Sequence, residues 1–305
     1  MASFVILNLL GSYKNTNKVE TMNVAAIFFC LVATFGHVYL EEQLDGKVAV
    51  VTGGAKGIGY AIGDNFLEYG TKTVVIVDKN RLRGLKAEKD LNCKHGANRT
   101  VFIYGDITKD LDRVSKQIFQ KFRYVNILVN NAGILDEYDP KKTIETNAMG
   151  TVLWADRFYN CMRKDRGGRG GTIINIASIS AYMSDPFLYF YKASKFAVLG
   201  LTLGMGHEYN YLFTGVRMFA ICPGATRTDM TRQEVTTVEE QREVFEKFSK
   251  TLKYQSPDNV GKAAVLLYWT ATTGTAYTVQ DGQPPIVSPD RVNITMEAIL
   301  NVIHQ

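Results

Sequence analysis

A short apolar run, Lys47-Val-Ala-Val-Val-Thr52, leads directly into Thr52-Gly-Gly-Ala-Lys-Gly-Ile-Gly59. That junction constrains the fold more than any other feature of the chain. The β-branched run, bounded by Gly46 and Gly53, predicts a buried strand. Glycines at 53, 57 and 59, at the mouth of a helix predicted over 57–69, permit a tight turn and a close approach to the backbone. The helix N-terminus adds N–H donors and a positive dipole end, an arrangement suited to a pyrophosphate. A lone glycine motif is weak evidence. Here it follows a strand and opens a helix, and Asp78 ends the second strand, 73–78, about twenty residues beyond Gly59. The context predicts a dinucleotide site built on Gly53, Lys56, Gly57, Ile58, Gly59 and Asp78.

Two residues of that site bear on which dinucleotide it takes. Asp78 can accept hydrogen bonds from an adenosine ribose and repels a 2′-phosphate, whereas Lys56 attracts one. A carboxylate a few ångströms from a phosphate costs several kcal/mol at an effective dielectric of about 20. Lysine can swing into solvent and a strand-end aspartate cannot, so NAD is expected and NADP is the alternative.

The same alternation continues along the chain. Apolar runs at 101–104, 126–130, 172–177, 216–221 and 276–279 read as further strands. Helical patterns fall at 81–91, 109–122, 141–164, 187–211 and 257–271. Strands interleaved with helices predict one Rossmann-type, doubly wound α/β domain over residues 41–305, with a parallel sheet of about seven strands and helices on both faces. Residues 225–254 stand apart as an insertion, in which Val238, Val244, Phe245 and Phe248 can share one helix face. At the carboxyl edge of such a sheet it is placed to cover a substrate; a structural helical hairpin is the other reading.

Composition narrows the function classes. The net charge of +5 is mild, and only Arg163-Lys-Asp-Arg-Gly-Gly-Arg169 clusters the basic residues, which reads as a solvated loop and not a nucleic-acid surface. The four cysteines (30, 93, 161, 222) include no C-x-x-C pair and the four histidines (37, 95, 207, 304) lack metal-ligand spacing, so no metal is expected. Residues 1–40 form a hydrophobic extension. Its apolar stretch at 24–35 suits a signal peptide, with Met22 as an alternative start, or an uncleaved anchor that associates with a membrane. The compartment is secretory or membrane-associated on those readings and cytoplasmic otherwise.

Tyr191-Lys-Ala-Ser-Lys195 raises a chemical question. On a helix Tyr191 and Lys195 share one face, one turn apart. With a nicotinamide cofactor, hydride exchange at an alcohol carbon needs a group that moves the hydroxyl proton. A phenol of pKa about 10 is a poor base at neutral pH. A neighbouring ammonium is expected to favour the phenolate and lower that pKa. Ser178, at the end of a predicted strand, can hold the substrate oxygen beside the phenol.

Taken together, the glycine loop, Asn130-Asn-Ala-Gly133, Asn147 in Thr-Asn-Ala-Met-Gly, Ser178, Tyr191-x-x-x-Lys195 and Pro223-Gly224 resemble the motif set of the short-chain dehydrogenase/reductase family, over roughly residues 45–285. Within it, the stretches around Ile134, Lys141, Arg166 and Pro223 are similar to insect-type alcohol dehydrogenases and to 15-hydroxyprostaglandin dehydrogenases. The resemblance implies that Ser178, Tyr191 and Lys195 are catalytic, and that Asn147 completes a tetrad by holding a water that links Lys195 to a proton relay. It implies that Lys195 also holds the nicotinamide ribose, and that Asn131, Ala132 and Gly133 line the adenosine and ribose path. Asp106, with Ile107, would meet the adenine, and Thr228 would approach the nicotinamide amide. It also implies a homodimer or homotetramer. The expected activity is NAD-linked interconversion of a secondary alcohol and a ketone, apolar in view of the aromatic stretch 187–190. An NADP-linked carbonyl reductase and a cofactor-binding protein without turnover are the alternatives.

Overall fold

The computed structural model describes residues 44–232 and 241–288. Strand β1 (Val48–Thr52) leads into helix α1 (Gly57–Glu68), followed by β2 (Thr73–Asp78), α2 (Arg81–His95), β3 (Thr100–Tyr104), α3 (Leu111–Phe122) and β4 (Ile127–Asn130). Next come α4 (Pro140–Ile144), a π-helical turn (Glu145–Gly150), α5 (Thr151–Met162), β5 (Gly171–Ile176) and α6 (Tyr189–Met205). The chain then forms α7 (Glu208–Thr214), β6 (Val216–Pro223), α8 (Arg242–Thr251), α9 (Pro257–Thr270), β7 (Thr275–Val279) and β8 (Ile286–Val287).

The strands order as β3-β2-β1-β4-β5-β6-β7-β8. All neighbours pair in parallel except β7 and β8. The order reverses between β1 and β4, so the connections after these two strands diverge and leave a crevice at their carboxyl ends. Both faces of the sheet are covered, which is why the strands read as unbroken apolar runs. Along β1, Ala49 and Val51 face one core with Ile62 and Phe66 of α1, Leu91 of α2 and Val260 of α9. Val48 and Val50 face the other, with Ile118 of α3 and Trp154 and Phe158 of α5. The period-2 alternation of a strand serves two buried layers at once.

Three expectations need correction. The sheet has eight strands, not about seven, and its last strand is antiparallel. Asp281 (φ 56°) and Gly282 (φ 71°) reverse the chain after β7, and the two exposed residues of β8 carry no periodicity that would betray a strand. The helix expected over 187–211 is broken. Gly206 lies so close to its neighbours that a Cβ there would meet the Thr202 and Met218 carbonyl oxygens at 2.5 and 2.6 Å, and α7 restarts with the His207 ring accepting from Tyr209 N. The helix expected over 141–164 contains the π turn, whose extra residue per turn rotates Asn147 into the protein interior at 0% exposure. Such turns recur at functional sites.

The insertion over 225–254 is tied at its base, where Arg227 N donates to Gln255 O and Gln255 N to Ala225 O, both at 2.9 Å. Its helix α8 lays Phe245 and Phe248 against Phe187, with ring centroids 5.3 and 5.5 Å apart. Val238, expected on the same face, lies outside the described residues. No described helix is long and apolar enough to cross a membrane, and the extension over 1–40 also lies outside the described residues.

Candidate active site

The crevice at the topological switch point opens into a cleft of about 1220 Å³. Its lining gathers Gly53, Lys56, Gly57, Ile58, Asp78, Asp106, Ile107, Asn131, Ala132, Gly133, Ser178, Tyr191, Lys195, Pro223, Gly224 and Thr228. Of the catalytic and cofactor-binding residues expected from the sequence, only Gly59 and Asn147 do not line it, and each stands directly behind a residue that does.

The glycine turn is held open by β4. The Thr52 hydroxyl accepts from Asn131 N (3.0 Å) and Ala132 N (3.1 Å), and Asn131 Nδ2 donates to the carbonyls of Thr52 (3.0 Å) and Gly53 (3.1 Å). Gly53 sits at φ 64°, where side chains are strained. A Cβ on Gly59 would lie 2.5 Å from the Gly53 carbonyl oxygen and against Asn131 Nδ2. Helix α1 therefore meets the turn backbone to backbone, leaving room above it for a pyrophosphate. The residues fit a dinucleotide on that ground.

Asp78 is fixed where β2 ends. Its carboxylate accepts from Ala55 N (3.2 Å) in the glycine turn and from Asn80 N (2.9 Å). Lys56, by contrast, turns to Asp229 at 2.8 Å, and Arg83 joins the same carboxylate at 3.1 Å. Asp106 accepts from Thr108 N and the Thr108 hydroxyl; these bonds, with Lys79 and Lys109 nearby, outweigh its burial and hold its carboxyl below the usual range.

At the other end of the cleft, β5 delivers Ser178 and α6 delivers Tyr191 and Lys195. Ser178 stands close enough to the Tyr191 hydroxyl to pull its pKa downward. The Lys195 ammonium donates to Ile176 O at 2.9 Å and lies 5.5 Å from the Tyr191 ring centroid. Asn147 accepts from Ile134 N and donates to Ile134 O, both at 2.8 Å, and donates to Ser194 Oγ at 3.1 Å. A Cβ on Gly133 would come within 3.2 Å of Asn147 Oδ1 and 3.7 Å of Lys195 Nζ, so only glycine leaves the space between these two side chains open.

The expected lowering of the tyrosine pKa is not what this geometry produces. Tyr191 is half-buried and lines the cleft, and the protein packed around it pushes its hydroxyl up to about 12, against a downward pull from Ser178. Burial likewise pushes the Lys195 ammonium down to about 8. Desolvation opposes the charged form of each group, and the ammonium spends its nearest hydrogen bond on a backbone carbonyl.

Three features were not legible in the sequence. Glu137 is buried, 4% exposed, and its carboxylate accepts from Phe190 N and Tyr191 N. Asn130, Asn175 and Thr202 form a buried chain from β4 through β5 to α6. Cys222 is a buried free thiol near Ser178 and Lys195, raised to about 11 by burial. Each depends on partners far apart in the chain. The histidines also looked unplaced, yet the side chains of Asp64, Glu68 and His95 converge. Lys94 already neutralises the two carboxylates, at 2.9 and 3.3 Å, and none of these residues lines the cleft.

A doubly wound sheet with a glycine turn at its switch point, a fixed acid closing β2, and a serine, tyrosine and lysine gathered in the same crevice defines a nicotinamide-dependent oxidoreductase. More narrowly, this chain belongs to the short-chain dehydrogenase family, whose model matches residues 47–239. It is 36% identical over 188 residues to a Rattus norvegicus 15-hydroxyprostaglandin dehydrogenase [NAD(+)], covering 61% of this chain and 70% of that one. It is 29% identical over 249 residues to alcohol dehydrogenase 1 of Ceratitis cosyra, covering 80% and 95%. Among solved structures it is similar to a 3-ketoacyl-(acyl-carrier-protein) reductase from Brucella melitensis complexed with NADH, with a TM-score of 0.63 and 25% identity, over 78% of this chain and 97% of that one.

Proposed function

We propose that this protein is an NAD-dependent dehydrogenase that interconverts a secondary alcohol and a ketone, with Tyr191 as the proton-transferring group. The observation that carries the reading is the gathering of Ser178, Tyr191 and Lys195, the ammonium 5.5 Å from the tyrosine ring centroid, in the cleft that also holds the glycine turn. Bound there, an oxidised nicotinamide supplies the hydride acceptor and a positive charge that favours the phenolate. Ser178 holds the substrate oxygen, and Tyr191 takes its proton as the carbon loses hydride. Lys195 would hold the nicotinamide ribose and, with Asn147, would offer that proton a route to solvent. Phe187, Phe245 and Phe248 give the substrate end of the cleft an apolar wall, which suits an apolar alcohol.

The preference for NAD rests on Asp78, a carboxylate pinned by two backbone N–H groups, against a Lys56 engaged by Asp229. NADP linkage is supported only by Lys56 and Arg83 standing together at that end of the cleft. Asp78→Ala is expected to lower the NAD:NADP ratio of kcat/KM by about tenfold or more, the effect of about 1.4 kcal/mol of removed repulsion. An unchanged ratio would remove Asp78 from this role. The defining experiment is a screen of secondary alcohols, lipid and terpenoid ones included, with NAD and NADP in parallel, read by the near-ultraviolet absorbance of the reduced nicotinamide. NADH binding without turnover of any alcohol would leave only a cofactor-binding protein.

The reading includes an enzyme domain over 41–305, an N-terminal extension that serves as signal or anchor, and a homo-oligomer. Leu153 of α5 and Phe196 and Leu203 of α6 are exposed apolar residues that an oligomer would cover.

A further inference from the structure

We infer that Glu137 is a positioning residue: a strut from the loop after β4 that fixes the first turn of α6, and with it the Tyr191 hydroxyl against Ser178. This rests on the proposed role of Tyr191, and the experiment below separates the two.

Helix α6 starts in an unusual way. Its N-cap, Leu188, is left-handed at φ 56° and offers no side-chain acceptor. The first intrahelical bond is Lys192 N to Leu188 O, at 2.8 Å, so the N–H groups of Tyr189, Phe190 and Tyr191 have no partner in the helix itself. Glu137 takes two of them, Phe190 N with Oε2 at 3.0 Å and Tyr191 N with Oε1 at 2.7 Å. Where a side chain caps the other described helices it belongs to the preceding residue: Asn80 for α2, Asp139 for α4, His207 for α7 and Ser256 for α9. The α6 cap comes instead from 54 positions upstream of Tyr191.

The loop that carries Glu137 is itself anchored. Ile134 is clamped at both N and O by Asn147. The Asp136 carbonyl accepts from the Thr143 hydroxyl at 2.6 Å, and its carboxylate pairs with Lys142 at 2.8 Å. One rigid segment thus spans from Gly133 in the cleft to the backbone of Tyr191. Helix stability alone needs only a local cap, worth about 1 kcal/mol. A buried carboxylate bonded to two N–H groups at a helix N-terminus is stronger and directional. It places a reacting side chain to the accuracy that proton transfer demands, where a displacement of about 1 Å costs on the order of a hundredfold in rate.

The test compares wild type, Glu137→Gln, Glu137→Asp and Tyr191→Phe as full-length chains. In the ligand-free protein, hydrogen exchange at the Phe190 and Tyr191 amides is expected to speed at least about tenfold in Glu137→Gln, with the middle of α6 unchanged. In turnover of octan-2-ol and its carbinol-deuterated form with NAD, kcat is expected to fall about ten- to a hundredfold. NADH affinity should hold and the deuterium isotope effect on kcat should change, with Glu137→Asp intermediate. A lower melting temperature with kcat per folded site and isotope effect unchanged would make Glu137 merely structural and overturn the inference, as would unaltered exchange at the two amides. If Glu137→Gln does not fold, the same two readings are taken on Glu137→Asp. Should Tyr191→Phe retain activity, the assignment of Tyr191 fails instead, whatever Glu137 does.

Discussion

Tyr191→Phe is expected to lower turnover of every secondary alcohol by about a hundred- to ten-thousandfold, the usual contribution of a positioned acid/base group, while NADH binding persists. The substitution removes one hydroxyl and leaves the ring, which lies on α6 within the cleft. On the proposed reading NADH is held by other surfaces, chiefly the glycine turn and Asp78. The two effects are separable by steady-state rates and by NADH fluorescence titration, and substantial residual turnover would take the tyrosine out of the chemistry. The pH dependence carries a sign. On the proposed mechanism alcohol oxidation uses the phenolate, and burial pushes Tyr191 up to about 12. The oxidation rate should therefore rise with pH across the neutral and mildly alkaline range. Ketone reduction uses the phenol, abundant below that value, and should not rise. In Tyr191→Phe the rise in the oxidation rate should disappear.

The second large effect is expected at Gly59. An added Cβ would lie 2.5 Å from the Gly53 carbonyl oxygen and against the Asn131 amide that bonds both Thr52 O and Gly53 O. Neither can yield without moving the turn, because the Gly53 backbone is tied in the other direction by Gly53 N to Val77 O at 2.7 Å. Forcing a methyl into such a site costs about 1–3 kcal/mol. That strain falls on the turn proposed to receive a pyrophosphate, so Gly59→Ala should weaken NADH binding by about ten- to a hundredfold. Substrate-independent NADH titration of the folded variant measures this directly. An affinity equal to wild type would mean that the turn does not form the cofactor cradle.

The two effects differ in how far each was visible from the chain alone. Gly59 stands in a local pattern of strand, glycines and helix, where the spacing itself encodes the turn. The Tyr191–Lys195 spacing likewise encodes a shared helix face. The sign of the tyrosine shift was not visible, because it depends on how much protein surrounds the side chain once the chain has folded. Asn147 read as an ordinary polar helix residue until the resemblance assigned it a role. Only the π turn explains how it comes to face Gly133 and Lys195.

Local periodicity and spacing are properties of neighbouring residues. They were enough for the alternating α/β architecture, the glycine turn with Asp78 beyond it, and the face shared by Tyr191 and Lys195. What required the tertiary structure has partners remote in the chain. Lys56 meets Asp229 across 173 positions, Glu137 meets Tyr191 across 54, and β8 is a strand only because β7 lies beside it. Burial belongs to the same class. A side chain's desolvation is the sum over everything packed around it, and that sum exists only once the chain has folded.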